Sequence, residues 1–174
     1  MLINRKDIYE GRVIKVSVDT VDLPNGVRLP LEIVRHPGGA AAVAIDADNR
    51  VCLLHQYRHA AGGFIYELPA GKLEPHEPPD VTVRRELAEE AAMSATHWES
   101  LGNFYSSPGV FTEVIHLYLA TGLTPVEAAP EHGEVFQVEW WPLELAVERA
   151  RNGELTDGKT IIGILRAAAL KKIA

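Results

Sequence analysis

Residues 71–93 read GKLEPHEPPDVTVRRELAEEAAM, and the reading of this stretch decides the rest. Six of its 23 residues are Glu or Asp, and three of them, Glu86, Glu89 and Glu90, fall within five positions. The prolines and Asp80 open a helix from about Pro79 to Ala92, with Val83, Leu87 and Ala91 recurring at i, i+4 and i+8. At about 100° per residue the three glutamates span roughly a 100° arc beside that apolar stripe. One flank of the helix is therefore buried, and its edge carries three carboxylates. Like charges at these spacings cost a few tenths of a kcal/mol per pair, and the helix dipole disfavours anions near the C-terminus. A hard divalent cation offsets such crowding, and carboxylate oxygens with water suit Mg²⁺ or Mn²⁺. A solvated acidic face, partnered by Arg84 and Arg85, accounts for the same composition. The helix alone leaves both readings open.

Outward from this helix, composition narrows the classes. The chain has 174 residues, 47% apolar and 24% charged, which suits one soluble globular domain with at most a small appendage. A net charge of −7 argues against nucleic-acid and anionic-membrane partners. It leaves room for a small anionic substrate, because a metal ion reverses the sign locally. The single cysteine, Cys52, lies in an apolar run and reads as a buried small hydrophobe, with no internal disulfide and no cysteine zinc site. Seven histidines are scattered along the chain. No apolar run reaches 18 residues and MLINRKDIYEG lacks a signal-peptide core, so a cytoplasmic location is expected.

Before residue 70 the chain reads as strands. YEGRVIKVSVDTVDL alternates, PNG turns, and VRLPLEIVRH returns, which predicts an antiparallel hairpin. GGAAAVAIDADNRVCLLHQYR gives two more strands, and FIYELPAGKLE a short one ending at Pro69 and Gly71. After the helix, HWESLGNFY and VIHLYLAT are strands, and residues 122–134 are expected as a long loop. VFQVEWW is a strand, Pro142 starts a helix that ends at Gly153, and a last helix spans roughly Lys159 to Lys172. This order predicts a mixed-sheet α/β domain with helices on its faces.

The wider spacing separates the two readings of the helix. Gly71, Glu77, Arg85-Glu86-Leu87, Glu89-Glu90 and Met93 resemble the signature Gly-x5-Glu-x7-Arg-Glu-apolar-x-Glu-Glu-x-Gly-apolar of the Nudix hydrolases. The one departure is Ala92, where the signature has Gly. A left-handed Ala costs about 1 kcal/mol, so the helix is expected to run on, towards Ser94. The resemblance implies an α/β/α sandwich with a mixed sheet, as residues 39–174, behind an N-terminal β-hairpin extension, residues 1–38. It also implies Glu86, Glu90 and the Ala70 carbonyl as metal ligands, Glu89 as a further ligand or base, Arg85 as orienting the glutamates, and Glu77 as stabilising the loop.

Pro108, fifteen residues past Met93, and the run LLHQYRHAAGGFIYELPAGKLE resemble the ADP-ribose pyrophosphatase subgroup. That likeness implies Arg58 at phosphate, Glu67 near the substrate and Glu134 near the metals and the attacking water, with Glu131 as its fallback. It further implies Mg²⁺-dependent hydrolysis of ADP-ribose to AMP and ribose 5-phosphate, and a homodimer that exchanges N-terminal strands. Taken singly, Pro108-Gly109 is also a simple turn, Arg58 and Glu67 a surface ion pair, and Glu134 a loop cap. A pyrophosphatase for another sugar nucleotide, such as a GDP-sugar, and a non-catalytic nucleotide-binding module stay open as alternatives.

Overall fold

The computed structural model describes residues 1–127 and 133–171. Its first element is an antiparallel sheet of β1 (Leu2–Glu10), β2 (Lys15–Asp22) and β3 (Arg28–Arg35), in that order. The expected hairpin is β2–β3, in register from Lys15 opposite Arg35 to Asp22 opposite Arg28. Its turn closes through Leu23 N–H to the Val27 carbonyl, with Gly26 at φ 84°. β1 adds a third strand that carries no sequence signal, because all nine of its residues are exposed and no face alternates. Ser17 and Asp19, both buried on β2, meet Arg5 of β1 and Arg35 of β3, so one polar network crosses all three strands.

The remaining strands form two sheets. β4 (Gly39–Ala44) is central to β7-β4-β9-β8, with β7 at Ala70–Lys72, β8 at Met93–Tyr105 and β9 at Val114–Pro125. β4 runs parallel to β9, and the other pairs in that sheet are antiparallel. The second sheet is β10-β5-β6, from Phe136–Pro142, Arg50–Arg58 and Gly63–Glu67. Three helices cover these sheets: α1 (Pro79–Ala91), α2 (Leu143–Asn152) and α3 (Gly158–Leu170).

Every residue of β4 is buried, which is why GAAAVA reads as a continuous apolar run rather than an alternating one. Ala40, Ala42 and Ala44 join Cys52 and the α1 stripe of Val83, Leu87 and Ala91. Ala41 and Val43 face the other way, into a larger core with Leu53, Leu117, Leu143 and Ile164. Helices thus lie on both sides of the strands, in the mixed α/β arrangement expected.

Two local expectations are corrected. β9 continues to Pro125, so residues 122–125 belong to a strand rather than to the loop expected from 122. Pairing with β8 carries it on, from Ala95 opposite Leu123 to Met93 opposite Pro125. The helix does not run on to Ser94. Ala92 adopts the left-handed conformation at φ 53°, its N–H reaches the Leu87 carbonyl, and β8 begins at Met93. Pairing of Met93 with Pro125, and the Val126 N–H on the Ala92 carbonyl, hold the exit against the steric preference of alanine.

Candidate active site

β6 ends at Glu67, opposite Leu54, and the chain then crosses to β4, where Ala70 pairs with Ala41 and Gly71 with Ala40. α1 lies against this elbow. The Ala70 N–H donates to Glu90 Oε2 at 2.8 Å. A Cβ on residue 71 would fall 1.8 Å from Glu86 Oε1 and 2.0 Å from Glu86 Cδ, so only glycine leaves room for that carboxylate. Glu86 and Glu90 are both buried, and they converge on the two residues where the strand changes sheets.

One guanidinium gathers the neighbouring acids. Arg85 Nη1 donates to Glu86 Oε1 at 2.7 Å and to Glu89 Oε2 at 2.9 Å, while its Nε and Nη2 each reach Glu77 at 3.1 Å. Glu77 is brought down to about 2, chiefly by Arg85 and further by the Thr82 hydroxyl, and stays a carboxylate at any ordinary pH. Arg85 in turn is raised above its usual range, first by Glu77.

A second group stands across the elbow. Arg58, at the end of β5, holds Glu67 through Nε and Nη2, the latter at 2.7 Å, and Lys159 Nζ reaches the same carboxylate at 3.1 Å. Lys159 also pairs with Asp157 at 3.1 Å. Burial alone would raise Glu67, but Arg58 and Lys159 outweigh it and bring the group below the ordinary carboxylate range.

Between the two groups opens a cleft of about 530 Å³. Of the residues singled out in the sequence, Arg58, Ala70, Gly71, Glu86 and Glu134 line it. Glu67 and Glu90 lie behind these, buried, and hold Arg58 and Ala70 in place. Glu89 and Arg85 form the α1 side of the acid cluster. Glu134 is exposed, and its charge is felt at both Glu90 and Arg58. Pro108 is exposed and is not among the lining residues. Its loop docks on β3 through Val34 N–H to the Val110 carbonyl and Thr112 N–H to the Val34 carbonyl, and Glu113 at its end faces the cleft. Glu131 lies outside the described residues.

Sequence reading missed His36, Glu113, Asp157 and Lys159 of the lining. The Asp-x-x-Thr pattern at residues 157–160 announces a helix N-cap, and Asp157 does accept from the Thr160 N–H at 3.0 Å. Nothing in that pattern says that the helix start faces a cleft built 90 residues earlier.

Residues 35–161 match the family described as NUDIX domain, a span that takes in the elbow, α1 and every residue named in the lining of the cleft. The chain belongs to the Nudix hydrolase family. Among its relatives, the methanol dehydrogenase activator of Bacillus methanolicus is 41% identical over 93% of this chain and 89% of its own length. The ADP-ribose pyrophosphatase of Bacillus subtilis (strain 168) is 37% identical over the same shares, 93% and 89%. A solved structure of an ADP compounds hydrolase superposes with a TM-score of 0.85 over 99% of this chain and 94% of the other, at 19% identity, and so shares the fold.

Nudix hydrolases generally require a divalent metal, and the donors here can be tested against that need. Among the described residues no three His, Cys, Asp or Glu side chains gather round one point in the rotamers present. Glu86 is turned to Arg85 and Glu90 to the Ala70 amide. The chemistry of the set fits a hard cation nonetheless. Its donors are oxygens, and burial pushes Glu90 up to about 8, with the charges of Glu86 and Glu134 adding to the effect. A positive ion at such a point restores the carboxylate. Gln56, buried on the same face of β5 as Cys52 and Arg58, keeps an Oε1 with no hydrogen-bond partner among the described residues. Cys52 itself is inert, its thiol pushed up to about 12 by burial.

Proposed function

We propose that this Nudix hydrolase cleaves the pyrophosphate bond of ADP-ribose, with Mg²⁺ (Mn²⁺ as a substitute), to give AMP and ribose 5-phosphate. The observation that carries the reading is the convergence of Glu86 and Glu90 on Ala70–Gly71 at the wall of a cleft that Arg58 also lines. Similarity to an ADP-ribose pyrophosphatase over nearly the whole chain supports the substrate.

In this reading Glu86, Glu90 and the Ala70 carbonyl hold the cation, and Arg85 fixes the rotamers of Glu86 and Glu89. A bound divalent ion supplies positive charge to the diphosphate and acidifies water at neutral pH. Arg58, kept rigid and charged by Glu67, binds a phosphate oxygen. Water attacks one phosphorus, the bridging oxygen leaves with the other phosphate, and the proton from water passes to a carboxylate. Glu134, at the rim of the cleft, is placed to take it, with Glu89 as the other described candidate. Pro108 stiffens the loop on the substrate side. An acidic chain binds an acidic substrate here because cations stand between them.

The proposal extends to a homodimer in the cytoplasm, acting on a small nucleotide sugar and on neither nucleic acid nor membrane. All nine residues of β1 are exposed, among them Leu2, Ile3, Ile8 and Tyr9, which supports a second copy as the cover for this strand. We treat residues 1–38 as that contact region and residues 39–174 as the hydrolase domain. No helix of the described residues is long and apolar enough to cross a membrane.

A second reading, regulation of a partner enzyme, is favoured by the 41% identity to an activator protein. Turnover separates the two. The protein is incubated with Mg²⁺ and a panel of ADP-ribose, other ADP- and GDP-sugars and dinucleotides, and products are quantified. AMP and ribose 5-phosphate from ADP-ribose are expected. Preference for a GDP-sugar would overturn the substrate, and no turnover of the whole panel would overturn the hydrolase reading.

A further inference from the structure

We propose that Asp157, Lys159 and Thr160, at the start of α3, are positioning residues that set the elbow between β6 and β7. The inference rests on the pyrophosphatase reading for its meaning, but its geometry is independent of that reading. A strand that changes sheets loses its ladder partners, so each backbone group of the crossing must be accounted for. Leu68 N–H donates to Thr160 Oγ1 at 2.9 Å, in the interior and across 92 residues of sequence. Pro69 has no N–H, and its carbonyl accepts from Ala42. Ala70 N–H goes to Glu90. Of the two N–H groups at the crossing, one is therefore held by a candidate metal ligand and the other by α3.

The α3 end of this arrangement is itself locked. The Thr160 hydroxyl donates to Asp157 Oδ2 at 2.6 Å, which leaves its lone pairs for Leu68 and fixes the rotamer. Thr160 is fully buried. Lys159 ties Asp157 to Glu67, the residue just before the crossing. The charges of Arg58, Lys159, Glu67 and Asp157 sum to zero, so Lys159 serves as an internal strut rather than as a spare cation for substrate. One turn further on, a Cβ at Gly163 would come 2.7 Å from Leu68 Cδ1 and 3.1 Å from Val43 Cγ2. The helix is thus pressed against Leu68 by a residue with no side chain, while Thr160 grips the backbone of the same residue. A shift of α3 moves Leu68, and with it Ala70 and the Glu90 bond.

The test uses the full chain and reads Mn²⁺ binding by electron paramagnetic resonance as well as turnover of ADP-ribose. Thr160→Val keeps the shape and removes both hydroxyl bonds, whereas Thr160→Ser restores them. The valine variant should bind Mn²⁺ about tenfold more weakly, as loss of a group that orients a ligand does. Its kcat should fall by a similar factor while KM for ADP-ribose stays within about twofold, and the serine variant should recover both. A folded Thr160→Val with wild-type Mn²⁺ affinity would overturn the proposal, whatever its melting temperature. If the valine variant does not fold, Asp157→Ala carries the test. It removes the acceptor that fixes the Thr160 rotamer without removing the hydroxyl and should weaken Mn²⁺ binding about threefold, and unchanged binding would overturn the proposal equally. Because Mn²⁺ binding is read without substrate, an enzyme that turns over nothing sinks the pyrophosphatase reading and leaves this one standing or falling by itself.

Discussion

Glu67 and Glu90 stand on either side of one elbow, 3% and 4% exposed, and burial acts on them alike. Their charges nevertheless go opposite ways. Glu67 shares its carboxylate between Arg58 and Lys159 and is held below the ordinary range. Glu90 receives one amide N–H from Ala70, faces Glu86 and Glu134, and is pushed up to about 8. Burial therefore does not tell a structural carboxylate from a reactive one. The balance of fixed charge around it does: the chain completes Glu67 from its own cations and leaves Glu90 to be completed from outside.

The strongest way to break this comparison is to remove each charge in turn. Glu90→Gln should lower kcat on the order of 100- to 1,000-fold, with folding intact, because it deletes the proposed metal ligand without stranding a protein cation. Steady-state kinetics with circular dichroism checks both halves. Glu67→Gln should do the reverse, costing stability first. Breaking a buried pair costs ~3–5 kcal/mol, and with Arg58 partly open to solvent the expected loss in urea unfolding is about 2 kcal/mol. Equal stability losses for the two variants would erase the distinction drawn here.

Acid titration sharpens it. The carboxyl of Glu67 is lower in the folded chain than its ordinary 4.5, so its contribution is fully present above that value and fades as pH falls through the lower folded one. The stability gap between wild type and Glu67→Gln, measured by urea unfolding, should therefore be constant above about pH 5 and shrink below it. A gap that grows on acidification would contradict the sign assigned to Glu67.

The smallest effect expected is at Ala92, the exit of α1, two residues past Glu90. Ala92→Gly relieves about 1 kcal/mol of left-handed strain and restores some freedom to the unfolded chain, for a net gain near ~0.5 kcal/mol. Activity should not change, since neither carboxylate moves. A large change in kcat would mean that α1 transmits its exit geometry to Glu86 and Glu90.

How far the sequence reveals these parts depends on the range of the forces involved. Gly71 through Glu90 was legible because helix periodicity is local and because the spacing from Gly71 to Glu90 resembles the Nudix signature; the structure adds why Gly71 is needed, at the Glu86 carboxylate. Arg58 and Glu67 were legible as a candidate pair across two adjacent strands. Lys159 and Thr160 were not, because their partners lie on β6 and in the crossing after it, far back along the chain. β1 left no pattern because neither of its faces is buried in this chain. At Ala92 local preference gave the wrong exit, since strand pairing at Met93 overrides a cost of about 1 kcal/mol.

The central claim is that the crowded carboxylates of α1 are the site of pyrophosphate cleavage. It is tested most directly by incubating wild type and Glu90→Gln with ADP-ribose, with Mg²⁺ and with EDTA, and separating the products. AMP and ribose 5-phosphate in equal amounts from wild type with Mg²⁺, and almost none from the variant or in EDTA, is the predicted result. Equal product from Glu90→Gln and wild type would contradict the account.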